Sequence, residues 1–229
     1  MENYWLTEAV SNNAAWCDAM AASHGIATKC DESVWSSEYP MPSFYPNIVT
    51  LRRGILLDEI IDTIAAQLSV GWGVKDSFCE LKLETRGFTL AFEARWYCCL
   101  PRQFVINESC QKVQVKTVKN KVDLNRWVIA WGDGEEIFHS ALLKDSSVEL
   151  LYVECDGEVV SGVATNQSGA SVGISNSFGR DDDLLGCIAS IVKKNPQKGI
   201  VGYGDKAEIT TLSKVGFEEI GDLRVWLLH

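Results

Sequence analysis

The sequence predicts an α/β fold in which a mixed sheet, flanked by helices, is built from two related halves. Two observations carry this reading. Strand and helix patterns alternate along most of the chain, and one supersecondary unit occurs twice. GWGVKDSFCELKLETRGFTLAFEARWY, around Gly87, aligns without a gap on IVGYGDKAEITTLSKVGFEEIGDLRVW, around Gly216. The two share Gly73/Gly202, Asp76/Asp205, Leu83/Leu212, Gly87/Gly216, Phe88/Phe217 and Arg95/Arg224, all at one offset of 129 (216 − 87 = 224 − 95). A unit repeated in fixed register constrains a fold more than an isolated motif does, and it reads as an internal duplication.

The elements follow in order. Trp5, Ala9, Trp16 and Met20 recur at helical spacing over 4–24, and Gly25 follows as a stop. Residues 30–46 carry three prolines and several serines, which predicts an irregular segment. Residues 47–51 form a β-branched strand, 56–68 an amphipathic helix, 71–74 a strand, 77–85 a short helix and 88–99 a long strand. The lysines and alternating valines of 107–122 predict a linker with an exposed edge strand, since edge lysines deter further pairing. Leu124, Trp127, Val128 and Trp131 then share one helical stripe with Asp123 as its N-cap, and a second helix is expected over 135–144. Asp156-Gly157 between apolar runs is a strong hairpin signal joining 148–154 to 158–165. A third strand over 170–178, a helix from Asp181, a strand over 199–203, a helix to Val215 and a strand over 217–228 complete the chain.

Bulk properties narrow the function classes. With 229 residues and 46% hydrophobic content, a large core is available. A net charge of −10 argues against a nucleic-acid partner, which needs a basic face. No apolar run approaches the ~20 residues of a membrane span, and MENYWLTEAV has no signal-peptide pattern. Eight cysteines in such a chain predict reduced, mostly buried thiols and a cytoplasmic protein. Cys17, His24 and Cys30 lack the paired spacing of a zinc site, so no metal is expected.

Over residues 123–229 the chain resembles the GNAT acyltransferase superfamily. YVECDGEVVSGVAT looks like that family's second and third strands, and DKAEITTLSKVGFEEIGDLRVW like its closing helix and last strands. The resemblance implies a domain at 123–229, a truncated GNAT-like half at 1–106 and a linker or edge strand at 107–122. It also implies acetyl-CoA as cosubstrate, lying where the fourth and fifth strands splay apart, and a small-molecule amine as acceptor. A homodimer is compatible with it. On this basis Ile174, Ser175 and Asn176 would meet the pantetheine arm, and Gly179 and Arg180 the pyrophosphate at the following helix N-terminus. Arg52 and Arg53 offer an alternative phosphate turn in the first half, or simply flank a helix and pair with Asp58 or Glu59.

The departures from the family pattern are equally specific. Asp181, Asp182 and Asp183 stand where the family's turn binds a diphosphate, Leu212 replaces its usual tyrosine, and Asp205 its asparagine. Tyr203 and Asp205 are the candidate acid and base near the acceptor, although Asp205, repeated as Asp76, is also the natural cap of the next helix. The function expected is an acyl-CoA-dependent N-acyltransferase acting on a small amine. The alternative is a catalytically inactive GNAT-like module that binds a ligand or a protein.

Overall fold

The computed structural model describes residues 4–105, 113–132 and 137–229, whose eleven strands form one sheet. Its order is β1-β2-β3-β4-β11-β5-β10-β9-β8-β7-β6. The strands are β1 (Lys29–Cys30), β2 (Val34–Ser36), β3 (Ile48–Thr50), β4 (Trp72–Asp76), β5 (Thr89–Cys99), β6 (Val115–Thr117), β7 (Val148–Cys155), β8 (Glu158–Ser168), β9 (Ser171–Gly179), β10 (Gly199–Gly204) and β11 (Glu218–Leu228). The helices are α1 (Tyr4–Ser23), α2 (Asp58–Ala65), α3 (Lys121–Trp131), α4 (Asp181–Lys194) and α5 (Lys206–Ser213).

The segments 1–106 and 123–229 interleave, because β5 lies between β10 and β11 while β11 lies between β5 and β4. The offset of 129 carries β5, at 89–99, onto β11, at 218–228, residue for residue. These two strands pair antiparallel, and Ala94 faces Leu223, its own counterpart at that offset. On either side of them, Glu93 pairs with Arg224 and Arg95 with Asp222, so one ion pair is the image of the other. The centre of the sheet therefore has a local pseudo-two-fold axis.

Side-chain patterning explains the layers. α1 lays Leu6, Ala9 and Val10 against Ala94, Trp96, Val201 and Leu223 on one face of the sheet. α4 lays Leu185, Ile188, Ile191 and Val192 against the other face, with Leu151, Val163 and Val172. α2 covers the first half through Ile61 and Ile64, beside Trp72, Phe88 and Trp226. Full burial of an aliphatic side chain contributes about 1.5–3 kcal/mol. Trp35 and Trp96 are fully buried, and their indole N–H groups donate to Asp18 Oδ1 (3.0 Å) and the Ser77 carbonyl (3.0 Å).

Several elements differ from the sequence expectation. The irregular segment 30–46 overlaps β1 and contains β2, two short strands at the sheet edge. Residues 77–85 form no α-helix: the Asp76 carboxylate accepts from the amides of Phe78, Glu80 and Leu81 and wraps the chain into a loop, leaving only a 3-10 turn at Glu84–Arg86. Asn120, not Asp123, caps α3, accepting from the Val122 and Asp123 amides, while the Asp123 carboxylate reaches back to the Lys119 amide. Of 135–144, residues 137–139 form no helix and Ser140–Lys144 is a 3-10 turn; residues 135–136 lie outside the described residues, as does 107–112 of the linker. The edge strand of that linker is β6, at the end of the sheet. The Asp156-Gly157 hairpin is present, with φ of 51° and 85°.

Candidate functional site

The sheet splits in one place that the repeat helps to define. β9 and β10 run parallel and pair only over Ser171–Gly173 and Gly199–Val201. β9 then continues to Gly179 and β10 to Gly204 without pairing to each other. On its other side β9 bulges, because its partners step from Ser175 to Phe178 while β8 advances only from Ala164 to Gly162. Asn176 sits in that bulge at φ 51° and accepts a hydrogen bond from the Tyr45 hydroxyl (3.1 Å). A bulge turns the strand out of plane and strengthens the local twist, which holds the split open.

A cavity of about 230 Å³ fills the split. Ile174, Ser175 and Asn176 line it from β9 and Tyr203 from β10, with Asn13, Trp16 and Cys17 from α1, Tyr97 from β5, Lys75 from β4 and Glu208 from α5. Two glycines make room on the α5 side. A Cβ at Gly202 would collide with the Tyr97 hydroxyl, and one at Gly204 with the Glu208 carboxylate. Tyr203, between them, points to the opposite face, where its ring packs edge-on to Trp96 at 5.4 Å. The cavity thus gathers groups from both layers.

Two polar clusters line it. Glu208 Oε1 accepts from the Tyr97 hydroxyl (3.2 Å). Burial pushes the Glu208 carboxyl up to about 7, against the opposing pull of that hydrogen bond, and the nearby Asp205 adds to the rise. Burial, reinforced by Glu208, holds the Tyr97 phenol well above its ordinary range. In the second cluster, Lys75 reaches over β11 and β5 from β4. Its Nζ donates to Asn13 Oδ1 (2.7 Å) and Tyr203 Oη (3.2 Å) and lies 4.2 Å from the Tyr203 ring centroid.

Asp205 stands at the lip as the N-cap of α5, accepting from the Ala207 (2.8 Å) and Glu208 (2.9 Å) amides, and its side chain is exposed. At the far end of β9, Gly179 has φ 99°, and a Cβ there would collide with the Val160 carbonyl and Ser161. Arg180 caps α4 by position without a side-chain cap and turns its guanidinium onto Asp183 (Nε–Oδ2 2.9 Å). Asp181 accepts from the Thr211 hydroxyl (3.3 Å).

The matching region of the first half is cross-linked by hydrogen bonds around a cavity of about 220 Å³ lined by Thr50, Arg52, Gly54, Asp76 and Glu80. The Thr50 hydroxyl bridges β3 to β4, accepting from the Ser77 amide at 2.8 Å and approaching the Lys75 carbonyl at 3.5 Å. Past β3, the Glu80 carboxylate accepts from the Gly54 amide (2.8 Å) and pairs with Arg53 (2.7 Å), while Arg52 pairs with Glu32 (3.6 Å). The partners considered for these arginines, Asp58 and Glu59, are not used; Asp58 pairs with Arg86 (3.0 Å).

No family model and no curated protein matches the chain. Solved structures do. A GCN5-related N-acetyltransferase from Kribbella flavida superposes with a TM-score of 0.71 at 11% identity, covering 96% of this chain and 95% of its own. A functionally unknown conserved protein from Staphylococcus epidermidis gives 0.62 at 11% identity over 89% and 94%. A GNAT-family protein from Novosphingobium aromaticivorans gives 0.57 at 8% identity over 96% and 97%. The chain has the GNAT fold, and the likeness to the Kribbella flavida protein extends over both halves.

Proposed function

We propose that the protein is an acyl-CoA-dependent N-acyltransferase whose working site is the β9/β10 split. The observation that carries the reading is the coincidence, in one cavity, of an unpaired and bulged β9 edge with a desolvated carboxyl group at Glu208. A pantetheine arm is a chain of amides, and the free backbone of Ile174, Ser175 and Asn176 suits it. Gly179, Arg180 and the first turn of α4 would meet the diphosphate, with the helix amides as donors. Asp181–Asp183 weaken that turn, and Arg180 offsets one of the three charges through Asp183. We assign the phosphate end here rather than to Arg52 and Arg53, because the Glu80 carboxylate already occupies the Gly54 amide and Arg53.

The bound thioester supplies an electrophilic carbonyl and a thiolate leaving group. An acceptor amine reaches the cavity as an ammonium ion and gives a proton to Glu208, whose raised affinity for protons suits a base acting near neutrality. Its nitrogen then bonds to the carbonyl carbon and the carbon–sulfur bond breaks; the thiolate takes a proton from Tyr203, whose phenolate is restored by the second proton lost from the nitrogen. Asp205 supports this geometry by capping α5, the helix that carries Glu208. The repeat at offset 129 and the ion pairs it relates support descent from an internal duplication.

The test is calorimetric titration of the full chain with acetyl-CoA, followed by thiol release with a panel of small amines. Saturable micromolar binding and amine-dependent release support the reading. Absence of binding at millimolar acetyl-CoA would overturn it in favour of a non-catalytic GNAT-like module.

A further inference from the structure

The cavity holds a cation whose partners are all neutral. Lys75 is 3% exposed, and its ammonium meets the Asn13 amide oxygen, the Tyr203 hydroxyl and the Tyr203 ring. Among the described residues no carboxylate lies within 4.0 Å of it, although twelve other such contacts occur among them. Buried charges are normally paired, because desolvating one without a counter-ion is costly. An ammonium group has three donors, and only two hydrogen bonds are made here. The pantetheine arm cannot supply the missing charge, since it is neutral and its diphosphate belongs at the distant α4 terminus.

We propose that Lys75 binds a carboxylate carried by the acceptor itself, so that the acceptor is a small amino acid. The cavity is lined by both a lysine, Lys75, and a carboxylate, Glu208, the two charge types that partner a zwitterion. Its volume of about 230 Å³ accommodates a molecule of that size. This rests on the acyltransferase reading for the fate of the amine, while the charge matching stands without it.

Matched pairs separate the two ideas. Glycine, alanine and β-alanine are titrated against their amides by calorimetry and thermal shift, without acyl donor. The acids should bind at least tenfold more tightly than the amides, and Lys75→Met should abolish that preference. Asn13→Asp leaves Lys75 in place and gives it an internal counter-ion, so it should also abolish acid binding while raising the melting temperature; it covers the case in which Lys75→Met fails to fold. Equal binding of acid and amide, an unchanged preference in both variants, absence of binding by every acid, or tighter binding of phosphoethanolamine would each overturn the carboxylate assignment. Thiol release with neutral amines alone would keep acyl transfer and overturn the acid. Acid binding without acetyl-CoA binding would keep the Lys75 site and overturn acyl transfer.

Discussion

The two halves carry the same strand–connection–strand frame about one axis, yet the cavity at β9/β10 opens between the strands, whereas the one beside β3/β4, about 220 Å³, lies in the turn beyond them, where Thr50 and Glu80 tie the chain. In the first half a single hydroxyl, that of Thr50, spans the place where the strands would part, and Glu80 fills the turn beyond with its own carboxylate. In the second half the equivalent strand is longer, bulges at Asn176 and leaves its inner edge without a partner. The repeat preserves what the frame needs, namely the glycines, the aspartates that accept backbone amides after their strands, and the central ion pairs. The differences lie in what fills the split. Asp76 and Asp205 show this well, since each accepts backbone amides of the segment after its strand, but only the second places a carboxylate-bearing helix beside a cavity.

The comparison breaks most sharply at Glu208. Glu208→Gln should lower the rate of acyl transfer by about 10²–10⁴ and remove the rising limb of the pH–rate profile near 7. It should also change stability, with a definite sign. The folded state binds the Glu208 proton more tightly than the unfolded chain does, so the stabilisation is full below pH 4.5 and is lost as pH rises through about 7. Glu208→Gln should therefore flatten that slope and leave the variant more stable at pH 8 by about 1–3 kcal/mol, allowing for partial solvent screening, as read by denaturant melts at pH 5 and pH 8. A variant with the same slope as the parent would remove the desolvated carboxyl from the account.

Smaller effects sharpen the contrast. Thr50→Val leaves the buried Ser77 amide without its acceptor and should cost about 1–3 kcal/mol in a urea melt while leaving acetyl-CoA affinity unchanged. The paired glycines should respond differently to alanine. At Gly73 the new Cβ meets the Trp226 carbonyl and Leu227, so stability should fall by about 1–3 kcal/mol with little effect on affinity. At Gly202 it meets the Tyr97 hydroxyl, so acyl transfer should fall more than stability does. Smallest is the charge reversal at the two turns. Arg180→Glu should weaken acetyl-CoA binding about tenfold, near 1.4 kcal/mol, whereas Arg53→Glu should leave it unchanged.

Much of the frame is legible in the sequence because local chemistry sets it. Asp156-Gly157 fixes the β7–β8 hairpin, the alternating valines and lysines mark the edge strand, and the offset of 129 announces the paired β5 and β11. The interleaving of those strands is not legible, since no local pattern tells a strand which half it will join. The site follows the same division. Ile174, Ser175, Asn176 and Tyr203 line the cavity as their strand positions suggested. Glu208 was hidden because Asp205-Lys-Ala-Glu208 reads as a helix capping pair, a structural explanation that leaves nothing over. Lys75 and Tyr97 were hidden because they come from the other half of the chain. Only the alternation GYG, with its two missing side chains, hinted that something large sits beside β10.

The most direct test of the open second split is calorimetric titration of acetyl-CoA into the parent protein, Arg180→Glu and Arg53→Glu, under one buffer and salt condition. One saturable micromolar site is expected, weakened about tenfold by Arg180→Glu and indifferent to Arg53→Glu. Binding lost with Arg53→Glu and kept with Arg180→Glu would place the cosubstrate in the first half and contradict it.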